Sequence, residues 1–250
     1  MNSNMTKSGN EIYSALSMHE GDGAEVQRLF PVRAGRMNFD PFVLWDHFQI
    51  EPGNGFPTHP HRGFEAITYM FEGSMAHKDN LGNHSTVTAG GAQRFTAGRG
   101  LEHSEMPAAQ GPSSGIQLWI NLPRRLKKSE PDYQQADKET IPVQQRGEAS
   151  VRTIVGENGP VKLHTPVTYL DVSLNQGGDF NQSVPSGYRG IVYVVSGTVQ
   201  AYEGPINAGP AYLFENRDLI NLSAVADRRF MLAMGKPHGE PFNQYGPYVD

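Results

Sequence analysis

The sequence predicts an all-β protein built from two tandem copies of one β-domain, and three observations carry that reading. With 28 Gly and 18 Pro in 250 residues, the chain favours turns over long helices. It also repeats itself. His61-Arg62-Gly63 leads into I-T-Y-M-F-E-G-S-M, ending at Met75, and Tyr188-Arg189-Gly190 leads into I-V-Y-V-V-S-G-T-V, ending at Val199; each is a strand, a Gly turn and a strand. Further on, T-A-G-G-A-Q-R-F ending at Phe95 is echoed by N-A-G-P-A-Y-L-F ending at Phe214, so the copies share order as well as local pattern.

The organisation follows from these anchors. Residues 1–22 are polar and Gly-dotted and read as a flexible N-terminal tail. Residues 23–125 form the first domain. Residues 126–148, rich in Lys, Glu, Asp, Gln and Pro, read as a solvated connector with one helical turn, and residues 149–250 form the second domain.

Composition excludes several classes. A formal net charge of -5 with no basic cluster argues against direct nucleic-acid binding. With no cysteine, any metal must sit among N and O donors, and the chain suits a reducing compartment. The first ten residues lack the apolar core of a signal peptide, and no stretch approaches the roughly 20 apolar residues of a membrane span. The expectation is a cytoplasmic protein without membrane attachment.

Two short strings carry the chemistry: His59-Pro60-His61, and His103-Ser104-Glu105 in A-G-R-G-L-E-H-S-E-M. Side chains alternate along a strand, so 59 with 61 and 103 with 105 each put two donors on one face. If the two strands pair, cross-strand neighbours roughly 4.5 to 5.5 Å apart bring three imidazoles and a carboxylate within reach of one ion. Gly53, His59, His61 and Glu65 also fit the spacing G-x5-H-x-H-x3-E, the first motif of the cupin barrels. Counting by twos from His61 puts Glu65 on the histidine face as well, so two carboxylates compete for one role. The second copy lacks the donors. Aligning the Arg-Gly dipeptides sets Ser186 opposite His59 and Tyr188 opposite His61, and no histidine lies between Leu213 and Leu222.

The runs D-P-F-V-L-W-D-H-F from Asp40, G-F-P-T-H-P-H-R-G-F-E from Gly55, T-A-G-R-G-L-E-H-S-E-M-P from Thr96 and Q-L-W-I-N-L-P from Gln117 resemble the signature segments of the pirin family. T-P-V-T-Y-L-D-V from Thr165 and G-E-P-F-N-Q-Y-G-P-Y-V from Gly239 resemble its C-terminal barrel, so the resemblance covers nearly the whole chain. It implies a bicupin, two tandem jelly-roll type cupin barrels, with one iron-type ion in the first held by the residues matching His59, His61, His103 and Glu105. On that ground Glu105 ranks above Glu65, which takes a structural role or one behind the ligands. The chain departs from the family pattern at Thr58, at His47, where an acidic residue is common, and at Arg94, where Trp is usual; both His47 and Arg94 are expected to alter pocket polarity. It also stops at Asp250, where family members usually continue into a helical tail.

Three imidazoles and a carboxylate suit a divalent transition metal better than Ca or Mg; Fe(II) is what the resemblance implies, with Mn, Ni, Cu or Zn as alternatives. Four protein donors leave positions for a substrate and O2. The resemblance further implies a quercetin 2,3-dioxygenase chemistry, in which a flavonol is opened with O2 and carbon monoxide leaves, Glu105 taking the proton of the flavonol 3-hydroxyl. It equally implies a second class, a non-enzymatic iron-binding regulator of a transcription factor or metabolic enzyme. Phe56, Phe64 and Met106 flank the donors and are candidates for an aromatic slot, with barrel-mouth core as the alternative. Arg62 and Arg99, each followed by Gly, are assigned to loop structure.

Overall fold

The computed structural model describes residues 10–250. Among the described residues strands dominate, and helix is confined to two short 3-10 turns, Arg124–Leu126 and Lys138–Thr140. The strands form two barrels, each a seven-stranded sheet facing a four-stranded one, with a small two-stranded ribbon near the C-terminus.

The repeat seen in the sequence is a repeat of topology. In the first barrel the large sheet runs Asp132–Ala136, Ala92–Thr96, Phe64–Glu72, Ser113–Asn121, Phe42–Ile50, Ala24–Phe30, Leu16–Glu20. In the second it runs Glu11–Tyr13, Ala211–Glu215, Arg189–Ser196, Arg228–Gly235, Val167–Leu174, Ala149–Val155, Val143–Arg146. The small sheets correspond likewise, Phe56–His61, Leu101–Pro107, Ser74–Asp79, His84–Thr88 against Asp179–Ser183, Leu219–Ala224, Thr198–Ala201, Gly204–Asn207.

The two large sheets pack back to back, and period two sorts their residues. On Phe64–Glu72, Ile67 and Tyr69 face the other barrel and join Trp45, Tyr169, Ile191 and Tyr193 in one shared core, whereas Phe64, Ala66 and Met70 face their own barrel's interior. Both faces are buried, so the strand reads as a near-continuous apolar run. Tyr69 Oη donates to Asp171 Oδ2 at 2.7 Å across this layer, and Arg229 donates twice to the same carboxylate. The second barrel's interior is filled by Phe180, Val192, Tyr212, Phe214, Phe230 and their neighbours, which leaves that copy a packed core. Ser186 and Tyr188 lie in its loop before Arg189–Ser196, outside any strand.

Three expected boundaries need correction. Residues 1–9 lie outside the described residues, but the rest of the expected tail is built into sheets: Glu11–Tyr13 pairs with Ala211–Glu215, and Leu16–Glu20 with Ala24–Phe30. Their polar composition reflects edge strands with one solvated side, which local sequence does not distinguish from coil. The expected connector is divided between the barrels, Asp132–Ala136 pairing with Ala92–Thr96 and Val143–Arg146 with Ala149–Val155. The end of the expected second domain returns to the first barrel. Val249 packs with Val43, Phe64 and Trp119, Val249 N–H donates to Arg62 O at 2.9 Å, and Lys127 Nζ donates to both Val249 O and Gly63 O.

Candidate metal centre

Leu101–Pro107 lies between Phe56–His61 and Ser74–Asp79, antiparallel to both. The register sets His103 opposite His59 and Leu101 opposite His61. A bulge between His103 and Glu105 brings Glu105 opposite Phe56, which tilts the strand at the donor pair. The ligand atoms of His59, His61 and His103 all lie within 4.8 Å of one another, and the same limit holds for His77, His103 and Glu105. His61 and His103 are buried, at 3 % and 1 % exposure.

Each of the three imidazoles has its Nδ1 occupied. His59 Nδ1–H donates to Pro57 O at 2.7 Å, His61 Nδ1–H to Pro247 O at 3.3 Å, and His103 Nδ1 lies 3.5 Å from His77 Nδ1. His103 Nε2 is buried with no hydrogen-bond partner. An orphaned buried nitrogen is costly unless something binds it, and metal-ligating histidines characteristically give their other nitrogen to a protein group. The donor set therefore fits a metal ion of intermediate softness. Burial first, then the neighbouring imidazoles, holds the His61 and His103 pKa values well below the ordinary histidine range, which keeps both rings in the neutral form that coordinates.

Glu105 sits at the centre of a polar cluster. Oε1 accepts from Thr68 Oγ1 at 2.8 Å and from Gln93 Nε2 at 2.5 Å, and Oε2 accepts from Gln117 Nε2 at 3.2 Å. Glu65 is elsewhere. Its carboxylate faces the layer between the barrels and accepts from the backbone N–H groups of His164 and Thr165 and from Thr96 Oγ1. Burial, only partly offset by those bonds, raises its pKa. The count by twos from His61 fails because the turn at Arg62-Gly63 separates two strands of different sheets. Gly63 adopts φ +85°, and a Cβ there would lie 1.8 Å from Val249 O.

The site opens into a cavity of about 1210 Å³ whose walls include Leu44, Phe48, Phe56, Met75 and Trp119. Of the three expected slot residues, only Phe56 lines it. Phe64 lies behind, stacked on Trp119 at 4.1 Å, and Met106 alternates to the outer face, where it packs against Gly55. The departures at His47 and Arg94 also face away from the cavity. His47 Nδ1 is 3.0 Å from Tyr193 Oη at the interface between barrels, and Arg94 pairs with Asp132. Arg62 is bidentate to Asp250 and Arg99 pairs with Glu130, both in loop structure.

Sequence reasoning missed His77 and Asp79. They form an i, i+2 pair in S-M-A-H-K-D, the same strand signal that exposed the other donors, in a string with no Gly or Pro landmark of its own. His77 Nε2–H donates to Asp79 Oδ2 at 3.0 Å, and Asp79 also accepts from the Leu81 and Asn83 backbone and from Asn83 Nδ2. Burial works against the Asp79 carboxylate, but the bonds from His77 and Asn83 outweigh it and keep its pKa below the usual value.

Comparison with known proteins agrees with this architecture. Residues 23–120 match the Pirin family model and residues 169–250 the Pirin C-terminal cupin domain. The chain belongs to the pirin family. It is 39% identical to a pirin of Mus musculus over an alignment of 266 residues, covering 98% of this chain and 89% of that protein. It is 39% identical to a pirin-like protein of Solanum lycopersicum over 245 residues, covering 94% and 84%. Among solved structures, quercetin 2,3-dioxygenase from Acinetobacter baumannii superposes with a TM-score of 0.87 at 30% identity, covering 97% of this chain and 91% of that one. This pirin thus has the two-barrel cupin fold, and none of its described helices is long and apolar enough to cross a membrane.

Proposed function

We propose that this pirin is a metal-dependent dioxygenase that opens flavonols such as quercetin, acting in the cytoplasm. The observation that carries the reading is the convergence of three imidazoles, one of them His103 with an orphaned buried Nε2, beside a large apolar cavity that His59 and His61 line. The structural likeness to a quercetin 2,3-dioxygenase supports it. His59, His61 and His103 would hold the ion, His103 through its orphaned Nε2, with Glu105 as the fourth donor. Bound there, a divalent transition metal, Fe(II) foremost and Mn, Ni, Cu or Zn as alternatives, supplies Lewis acidity and a common centre for substrate and O2.

The chain's own residues do the rest. Trp119, Phe48 and Met75 present apolar surface to a flat aromatic and exclude water around it. Glu105, steadied by Thr68, Gln93 and Gln117, accepts the proton of the flavonol 3-hydroxyl at a carboxylate oxygen, so the substrate enters the reaction as its anion. In the overall step O2 is reduced, both of its atoms enter the ring-opened ester, and one ring carbon departs as carbon monoxide.

The test is anaerobic Fe(II) loading with metal analysis, followed by O2 and quercetin while flavonol absorbance and headspace carbon monoxide are recorded. Stoichiometric metal with metal-dependent flavonol loss and carbon monoxide is expected. Stoichiometric metal without turnover overturns the enzyme in favour of a metal-dependent regulator that binds a protein partner, and absence of bound metal overturns both.

A further inference from the structure

A single polar line crosses the inner wall of the first barrel. The register pairs Arg28 with Asp46, Asp46 with Gln117, Gln117 with Thr68, and Thr68 with Gln93, so five adjacent strands present these side chains side by side on one face. The residues two before or after them on the same face are apolar: Val26, Leu44, Phe48, Ala66, Met70 and Trp119. Burying a charged pair in such a wall is costly and its removal is often stabilising, so a structural reason alone is weak.

The line has two ends with different duties. Gln93, Thr68 and Gln117 hold Glu105 beside the histidines. At the other end, Arg28 Nε and Nη2 donate to Asp46 Oδ1 and Oδ2 at 2.8 and 2.6 Å, and Nη1 donates to Glu20 Oε1 at 2.6 Å. A guanidinium has five N–H groups, so two remain after these three bonds, and each Asp46 oxygen keeps a lone pair. Arg28, Asp46 and Glu20 all line the same cavity as His59, His61 and Glu105. From Arg28, Gln117 lies two strand spacings away and Thr68 three, roughly 10–14 Å.

We propose that Arg28, held by Asp46 and Glu20, is a specificity-determining residue that recognises a neutral hydroxyl at the far end of an elongated polyhydroxylated aromatic whose near end meets the histidines. This rests on the dioxygenase reading and narrows it to a substrate class. One cation between two carboxylates leaves the cluster net negative, so a ligand carrying a distal carboxylate or phosphate is repelled. A hydroxyl matches both halves, accepting from a spare Arg28 N–H and donating to a carboxylate. The apolar wall between the ends suits the flat rings that join them.

The experiment uses the metal-loaded protein without O2 and three flavonols that differ only on the pendant ring: unsubstituted, dihydroxylated and carboxylated. Kd is read from quenching of tryptophan fluorescence, Trp119 being in the cavity wall. Wild type is expected to bind the dihydroxylated ligand about tenfold more tightly than the unsubstituted one, the yield of one hydrogen bond to a charged group, and the carboxylated ligand most weakly. Arg28→Met should abolish the tenfold preference while metal content and affinity for the unsubstituted flavonol stay within about twofold, and Arg28→Lys should restore part of it. Equal affinity of wild type for all three ligands, tightest binding of the carboxylated one, or full preference retained by Arg28→Met overturns the assignment. The wild-type series decides the matter even if the variants misfold. Failure of wild type to bind any of the three overturns the dioxygenase reading itself.

Discussion

His103 and His77 face each other with their Nδ1 atoms 3.5 Å apart, on adjacent antiparallel strands deep in the first barrel. With His77 Nε2–H donating to the Asp79 carboxylate, the tautomer that carries its hydrogen on Nε2 offers His77 Nδ1 as an acceptor, and His103 Nδ1–H donates to it. That leaves the lone pair of His103 Nε2 directed at the candidate metal position. Tyr133, stacked on His77 at 4.3 Å, keeps the second ring in plane.

The relay is expected to be worth metal affinity. His77→Ala or Asp79→Ala should weaken binding by about 10–100-fold in a chelator competition, with far-ultraviolet circular dichroism unchanged. Wild-type affinity in both variants rules out a role for the relay in orienting His103.

Glu105 and Glu65 should separate cleanly. Glu105→Ala is expected to lose metal. Glu65→Ala should keep it but destabilise the protein, because the buried N–H of Thr165 loses its acceptor at about 1–3 kcal/mol and the N–H of the more exposed His164 loses its own at less. Metal content by elemental analysis and denaturant midpoints check both; equal metal loss in the two variants would overturn the ranking.

His47 is expected to make folding sensitive to acid. Burial, and then the positive charge of Arg229, lowers its pKa to about 4 from an ordinary 6.5. Tyr193, Ser114 and Phe71 surround it without a carboxylate. The unfolded chain then binds a proton the folded one does not, so its contribution is fully present above pH 6.5 and is lost as pH falls toward 4, by up to about 3 kcal/mol. Asp46, raised by burial to about 6, acts in the opposite direction over nearly the same window. The measurement is therefore the stability difference between wild type and His47→Asn at pH 7 and pH 4.5. A difference that does not change with pH contradicts the assignment.

Gly63→Ala should unseat the C-terminal segment. The φ of +85° costs an L residue roughly 1–2 kcal/mol, and the added Cβ has no room beside Val249 O. Lower thermal stability and faster amide exchange at Val249 are expected; unchanged exchange would mean the segment tolerates the displacement.

Much of this molecule is legible in one dimension. The duplication shows because both copies keep the same strand, Gly turn and strand order, and His59, His61, His103 and Glu105 show because alternation along a strand is a local rule. The pairing of His59 with His103 is supplied by the antiparallel register of the folded sheet, which the sequence leaves as a condition. Local rules stop at turns, however, and Glu65 illustrates it: two residues of turn moved it to another sheet and another face.

By itself, then, the sequence determined the all-β class and the doubling of the domain, and it placed His59 with His61 and His103 with Glu105 on shared strand faces, since each depends on spacing within a few residues. Tertiary structure alone decided what stands behind and around those donors. Pro247 O reaches His61 from 186 residues away, Asp46 reaches Arg28 across 18, and His77 meets His103 across 26. The physical reason is that sheet register is a long-range choice, set by which faces bury apolar surface across the whole barrel, and only that choice fixes which polar groups share a wall.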